Sequence, residues 1–194
     1  MTIKLGLTGS IGMGKSTTAA LFAEEGAAVW DADAAVHRLY QAGGAAVAPI
    51  GEVFPDAIED GAVSRRALRD IIAKDESALK TIEGIVHPLV RADRDVFAAK
   101  TETDITVYDI PLLFETGAQS EMDATACVYV PYGEQRRRVL ERGTMSEADF
   151  ERILDKQMPI QDKLDRSDFT IRTPDLETAR ADVQTVLEEI RKRL

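Results

Sequence analysis

Cysteine is almost missing from this chain: there is one, Cys127, among 194 residues. An intrachain disulfide is therefore impossible, and a zinc site built on thiolates is disfavoured. Positive charge is also in deficit. Lysine and arginine number 24 against 34 acids, for a net charge of −10. A nucleic-acid coat or a membrane-surface protein needs a broad positive field, so both classes are disfavoured. No uncharged run approaches the ~20 residues that a membrane span requires. The N-terminus runs straight into the strand-like Ile3-Lys4-Leu5-Gly6-Leu7 with no signal-peptide pattern. There is no internal repeat, and the only biased stretch is the Ala/Gly-rich 42–48. These absences set the expectation of a reduced, cytoplasmic protein that binds neither nucleic acid nor membrane. They leave room for an anionic ligand held by a local cluster of cations and backbone N–H groups.

What is present is a packed-core composition, 44% hydrophobic and 30% charged. Short apolar runs alternate with helix-like segments. The runs are 3–8, 27–30, 106–110, 126–130 and a weaker one at 168–171. Continuous apolar strands between helices indicate a parallel sheet covered on both faces, hence an α/β fold. Helical periodicity follows at 17–25, with Gly26 as a stop. It returns after Thr173-Pro174-Asp175, with Thr173 read as the N-cap and Pro174 as the first helical residue. Two stretches exceed the dozen or so residues that a βα crossover needs. Residues 34–103 read as helices with irregular joins, Ser64 capping one of them, and form a substrate-facing subdomain. Residues 135–158 carry a charged helix, then a second one opened by the capping-box-like Ser146-Glu147-Ala148-Asp149. They read as a lid. The nucleotide-binding core is expected in 1–33, 104–134 and 159–194.

Gly9-Ser10-Ile11-Gly12-Met13-Gly14-Lys15-Ser16 matches G-x-x-x-x-G-K-[ST] in full, with a strand before it and a helix after it. The glycines let the backbone curl so that successive N–H groups face a polyphosphate. The following helix adds its positive end. Gly9, Gly12, Met13, Gly14, Lys15, Ser16 and Thr17 are the expected nucleotide contacts. Lys15 would neutralise the β/γ-phosphates, and the Ser16 hydroxyl would ligate Mg²⁺. Asp109, at the end of a buried strand, fits the second Mg²⁺ position, directly or through water. Asp31-Ala32-Asp33 closes the second strand, at the end where open parallel sheets bind ligands. Each carboxylate could accept a proton from an attacking hydroxyl or cap a helix. Asp33 stands further out and is the base candidate. Gln135, Arg138 and Arg142 share one helix face, while Arg136 and Arg137 point elsewhere. Guanidinium groups suit the spread charge of a transferring phosphoryl group. His87-Pro88 reads as a helix opening with proline in its first turn.

Together with Ile85-Val86-His87-Pro88-Leu89-Val90, Asp109-Ile110-Pro111-Leu112-Leu113-Phe114-Glu115, Gln157-Met158-Pro159 and Lys163-Leu164-Asp165-Arg166-Ser167-Asp168-Phe169, these segments carry a resemblance. In order and over nearly the whole chain, the sequence resembles dephospho-coenzyme A kinases. The resemblance implies a P-loop core of five parallel strands flanked by helices, a helical substrate subdomain and a lid. It implies transfer of the ATP γ-phosphoryl group, with Mg²⁺, to the 3′-hydroxyl of the dephospho-coenzyme A ribose. Asp33 would be the base, with Lys15 and Arg142 also catalytic. Asp33, His87, Leu113 and Arg138 would meet the acceptor. No obligate protein partner is implied. The chain departs from the family pattern at Arg172-Thr173, where Asp-Asn is common, at Gly143, where an acid is common, and at His37, where Arg is frequent. Two other readings compete. One is a P-loop switch, but the Asn-Lys-x-Asp-type segment that reads guanine is missing. The other is another metabolite kinase, against which the Asp-Ala-Asp and His-Pro pieces tell.

Overall fold

The structure is a computed structural model that describes residues 2–192. The chain forms two compact units, one of residues 1–30 with 101–194, the other of residues 31–100.

The first unit is built on a parallel sheet. Its strands are β1 (Ile3–Thr8), β2 (Ala28–Asp31), β5 (Ile105–Asp109), β6 (Ala124–Tyr129) and β7 (Phe169–Arg172), in the spatial order β2-β5-β1-β6-β7. The registers Leu5↔Val107, Leu7↔Ala126 and Val128↔Ile171 are all parallel. β5 and β6 are buried along nearly their whole length, which is why they read as unbroken apolar runs. Helices α1 (Lys15–Glu24) and α9 (Leu176–Arg191) supply Leu21, Phe22, Val183, Val186, Leu187 and Ile190 to the core over Leu5, Leu7, Val107, Val128 and Ile171. α9 starts later than the sequence suggests. Its cap is Asp175, whose carboxylate accepts from Thr178 N–H at 2.7 Å, and not Thr173. Thr173 is instead buried, with its hydroxyl donating inward. Helices α6 (Tyr132–Glu141), α7 (Glu147–Lys156) and α8 (Ile160–Arg166) lie between β6 and β7 in the chain. Ser146 caps α7 as expected, accepting from Asp149 N–H at 3.2 Å.

The strand order places the chain's change of direction at β1. β2 and β5 lie on one side of it, β6 and β7 on the other. Loops at the carboxyl end of such a strand form the ligand crevice of open α/β sheets. The glycine-rich segment is the loop that leaves β1.

The second unit is helical. α2 (Ala32–Tyr40), α3 (Val47–Val53), α4 (Arg65–Lys74) and α5 (Ser77–Lys100) bury Leu39, Ile50, Leu68, Ile82 and Val86 together. Ser64 caps α4 through Ala67 N–H, as its position suggests. Two features depart from the sequence reading. A hairpin of β3 (Ile58–Glu59) and β4 (Ala62–Val63) interrupts the helices, turned by Asp60 at φ 50° and Gly61 at φ 76°. An Asp-Gly pair with both φ positive is the two-residue turn that matches strand twist. His87 and Pro88 do not open a helix, because α5 runs from Ser77 through Lys100 with Pro88 inside it. Proline removes one helical hydrogen bond. The apolar stripe of Ile82, Val86, Leu89 and Val90 packs on the unit's core on both sides of it, and that burial carries the helix through.

Candidate active site

The phosphate loop lies between β1 and α1. Gly12 and Gly14 take φ 77° and 86°, a region that L side chains rarely occupy. Space excludes side chains as well. A Cβ at Gly12 would stand 2.4 Å from Val139 Cγ2. Gly14 is the N-cap of α1, so the helix's first N–H groups open at the loop. Met13 is buried, and its carbonyl accepts from Thr173 Oγ1 at 2.6 Å. Thr18 Oγ1 donates to Gly14 O at 3.1 Å. The loop is thus held from below by buried hydroxyls, while Ser16 and Thr17 in the first turn of α1 are exposed.

Lys15 Nζ pairs with Asp109 at the end of β5. The two side chains are 15% and 2% exposed. A strand-end carboxylate thereby holds the loop's lysine at the ligand end of the sheet. Asp109 and Ser16 offer hard oxygen donors. That donor chemistry suits Mg²⁺, which takes one or two protein oxygens and completes its shell with water and phosphate. Among the described residues, no cluster of three or more His, Cys, Asp or Glu forms an all-protein metal cage.

Next to the loop lies a cavity of about 180 Å³ lined by Gly14, Thr17, Arg138, Thr173, Asp175 and Leu176. Arg138 donates to the carbonyls of Thr173 (2.7 Å) and Pro174 (2.9 Å) and pairs with Glu134 at 2.6 Å. The hydrogen bonds from Arg137 and Arg138 hold the Glu134 carboxyl down at about 2, so the pair stays ionised across neutral pH. The sequence reading grouped Arg138 with the acceptor. Its guanidinium lines the cavity that opens beside Gly14. Arg172, one of the departures from the family pattern, turns to Asp182 at 2.7 Å, while Thr173 supports the loop.

Along α6 the arginines differ in their partners, and Arg142, expected on the face of Gln135 and Arg138, is exposed while Arg136 is half-buried. Gln135 is buried and Arg138 partly so, while Arg136 is engaged by Glu147 and Arg137 by Glu134 and Glu141. Arg142, the C-cap of α6, is exposed and has no carboxylate partner among the described residues.

In the second unit Asp31 is the N-cap of α2, accepting from Ala34 N–H at 2.9 Å, and Asp33 lies in the first turn, exposed. The helix begins at Ala32, so Asp33 is a helical residue and not a loop residue past the strand. His87 is exposed on α5. Leu113, expected to meet the acceptor, is fully buried. A Cβ at Gly6 would come within 2.9 Å of its Cδ2, so its side chain packs beneath β1.

Sequence reasoning missed Lys163. It stands in α8 among charged residues and is completely buried. Nζ contacts Glu115 Oε1 at 2.9 Å and Pro111 O at 3.0 Å. Glu115 Oε1 also accepts from Met158 N–H at 2.8 Å. Burial raises the Glu115 carboxyl, but the bonds from Lys163 and Met158 outweigh it and leave the group below its ordinary range. Lys163 therefore joins the segment after Asp109 to the exit of α7. Nearby Cys127 is core, as expected, its thiol pushed up to about 12 by burial. The only sequence signal for Lys163 was its place in the family motif.

Among the described residues, no helix is long and apolar enough to cross a membrane. The family profile "CoaE: Dephospho-CoA kinase" matches residues 3–176. A dephospho-CoA kinase of Ruegeria pomeroyi is 62% identical over 191 residues, covering 98% of this chain and 97% of its own. Among solved structures, TT1252 from Thermus thermophilus is 32% identical with a TM-score of 0.86, over 100% of this chain and 98% of that one. A dephospho-CoA kinase from Campylobacter jejuni, at 23% identity and a TM-score of 0.73 with both chains fully covered, shares the fold. With nearly its whole length matched and its phosphate loop, Lys15–Asp109 pair and five-stranded sheet in place, the chain belongs to the dephospho-CoA kinase family.

Proposed function

We propose that this protein transfers the γ-phosphoryl group of ATP to the 3′-hydroxyl of the dephospho-coenzyme A ribose, giving coenzyme A and ADP. The family match over 3–176 carries this reading, joined to a complete phosphate loop whose lysine is held by a strand-end aspartate. The loop's N–H groups and the α1 N-terminus bind the phosphates. The cavity beside Gly14 and Thr17 takes the base, between the Arg138 guanidinium and the exposed Leu176. This puts Arg138 on the nucleotide side of the reaction. Ser16 and Asp109 would hold Mg²⁺, which supplies neutralising charge to the phosphates when it is bound.

The acceptor hydroxyl loses its proton to Asp33 as its oxygen bonds to the γ-phosphorus and the bond to the β-phosphate oxygen breaks. Asp31 already caps α2 through one carboxylate oxygen, and Asp33, one residue into the helix and exposed, is taken as the base. Lys15 and Arg142 meet the charge that spreads over the transferring group. Residues 135–158 act as a lid that brings Arg142 in, which among the described residues has no carboxylate partner to release. His87 serves the acceptor, and the 31–100 unit grips its pantetheine arm. Binding energy from that arm orients the hydroxyl. The reaction is placed in the cytoplasm and needs no obligate protein partner, nucleic acid or membrane.

The test is initial rate with dephospho-coenzyme A, AMP and adenosine under one saturating ATP–Mg²⁺ condition. Dephospho-coenzyme A should be fastest. Faster phosphorylation of AMP would replace this reading with a nucleoside-monophosphate kinase. ATP hydrolysis indifferent to all three would replace it with a switch.

A further inference from the structure

Ile11, in the phosphate loop, is gripped through both of its backbone polar groups, which belong to the two successive peptides that meet at its Cα. Its carbonyl accepts from Gln135 Nε2 at 2.7 Å, and its N–H donates to Gln157 Oε1 at 3.2 Å. Gln135 is in α6 and only 2% exposed, while Gln157 is the C-cap of α7. The two glutamines bracket residues 136–156. Both roots of that segment are therefore fastened to one residue of the loop.

Four further contacts make the grip rigid. Gly12, the next residue, lies against α6 so closely that a Cβ would stand 3.3 Å from Gln135 O. At the other root, Met158 N–H is held by Glu115, which the buried Lys163 holds in turn. Lys163 also donates to Pro111 O, two residues past Asp109. Gln157 thus projects from an anchored backbone.

A phosphate loop works by the aim of its N–H groups. A peptide plane in an irregular loop rotates cheaply when its polar ends are not held. The Ser10–Ile11 plane is held at both ends, by Gln157 at the Ile11 N–H and by Met13 N–H at Ser10 O (3.3 Å), and the Ile11–Gly12 plane is held by Gln135 in a dry environment where an unmet partner is costly. We propose that Gln135 and Gln157 are positioning residues for phosphoryl transfer. They fix the two peptide planes on either side of Ile11 and make the shape of the phosphate loop depend on both roots of the 136–156 segment. Each uses a different atom, Gln135 its amide nitrogen and Gln157 its oxygen, so the clamp is directional. The turnover arm of its test rests on the kinase reading above. The exchange arm does not.

The experiment uses the full chain with Gln135→Met, Gln157→Met and the double variant. Methionine keeps length and removes the hydrogen bond. Gln161→Met is the control, because Gln161 bonds only Asp165 on the outer side of α8. Amide hydrogen exchange at Ile11 should rise at least about tenfold in Gln157→Met, with β1 unchanged. Gln157→Glu, which keeps an acceptor oxygen, should restore the protection. Turnover with ATP–Mg²⁺ and dephospho-coenzyme A should fall about ten- to a hundredfold in each single variant, with KM for ATP changed far less. In the double variant the loss should be smaller than the product of the single losses, since both act on the adjacent peptides that meet at Ile11. Unchanged kcat in Gln157→Met, losses that multiply, or no rescue of exchange by Gln157→Glu would each overturn the proposal. Should Gln135→Met not fold, Gln157→Met decides on exchange and kcat. Should the wild type fail to phosphorylate dephospho-coenzyme A, the kinase reading falls and Ile11 exchange still judges the clamp.

Discussion

The two units solve the same folding problem with different interiors. In the first, buried polar side chains are threaded through the core: Thr8, Thr18, Asp109, Gln135, Lys163 and Thr173 among them. In the 31–100 unit, every buried side chain among the described residues is apolar, and Asp31, Asp33 and His87 stand exposed. An apolar interior is held by area alone and tolerates changes at its surface. An interior of paired polar groups aims those groups accurately, but losing one partner strands the other. Changes in the first unit should therefore cost stability and turnover together. In the second they should cost turnover alone.

The largest effect expected is at Lys15. Lys15→Ala should lower turnover about 10²–10³-fold, the scale of removing one preorganised donor. Thermal melting should fall too, because Asp109, 2% exposed, loses a charged partner. A variant that melts normally would break the link between chemistry and stability in this unit.

Lys163→Met tests that link away from the phosphates. It leaves Glu115 without its ammonium, and breaking such a pair costs about 3 kcal/mol. The sign of the pH dependence follows from the lowered Glu115 carboxyl. In the wild type its contribution is fully present above the ordinary carboxylate value of 4.5 and is lost as pH falls through the lower folded value. The melting gap between variant and wild type should therefore be widest near neutrality and narrow below that range. Melting curves across acid pH would show a constant gap if Glu115 were irrelevant.

Asp33→Asn should cut turnover about a hundredfold, since the amide cannot take the hydroxyl proton. ATP affinity and melting temperature should both hold, as the side chain is exposed. A drop in melting temperature here would erase the contrast between the units. Arg142→Lys should cost about tenfold in turnover, because a point charge does not reproduce a planar fork. Arg136→Lys should be nearly silent, its side chain being already engaged by Glu147. Equal losses would refute the helical-face argument. The smallest effect is expected for Asp31→Asn, less than about threefold, because Asn is as good a cap as Asp and can still accept from Ala34 N–H.

The phosphate loop, the apolar strands and the caps at Asp31, Ser64 and Ser146 were legible because each is written within a few consecutive residues. The Glu59-Asp60-Gly61-Ala62 turn was equally local. Its strands are two residues each, too short to show alternation, so its turn chemistry was the only signal. His87-Pro88 misled because the local rule is sound: proline favours the first turn of a helix. In α5 the burial of the stripe around it outweighed that preference. Leu113 was read through a motif as an acceptor contact, yet its position in the chain does not say that Gly6 leaves room for it under β1.

By itself the sequence determined the α/β class, the glycine-rich turn between β1 and α1 and the family, because strand runs, glycine spacing and caps act over a few bonds. The tertiary structure alone decided which of several similar residues became functional parts. Lys163 looks like any surface lysine until α8 folds it against Glu115 and Pro111. Gln135 and Gln157, 22 residues apart in the chain, meet on one residue more than a hundred residues upstream. Such partners are chosen by burial, where each polar group must find its complement among whatever the packed chain brings near, and no local pattern encodes that choice.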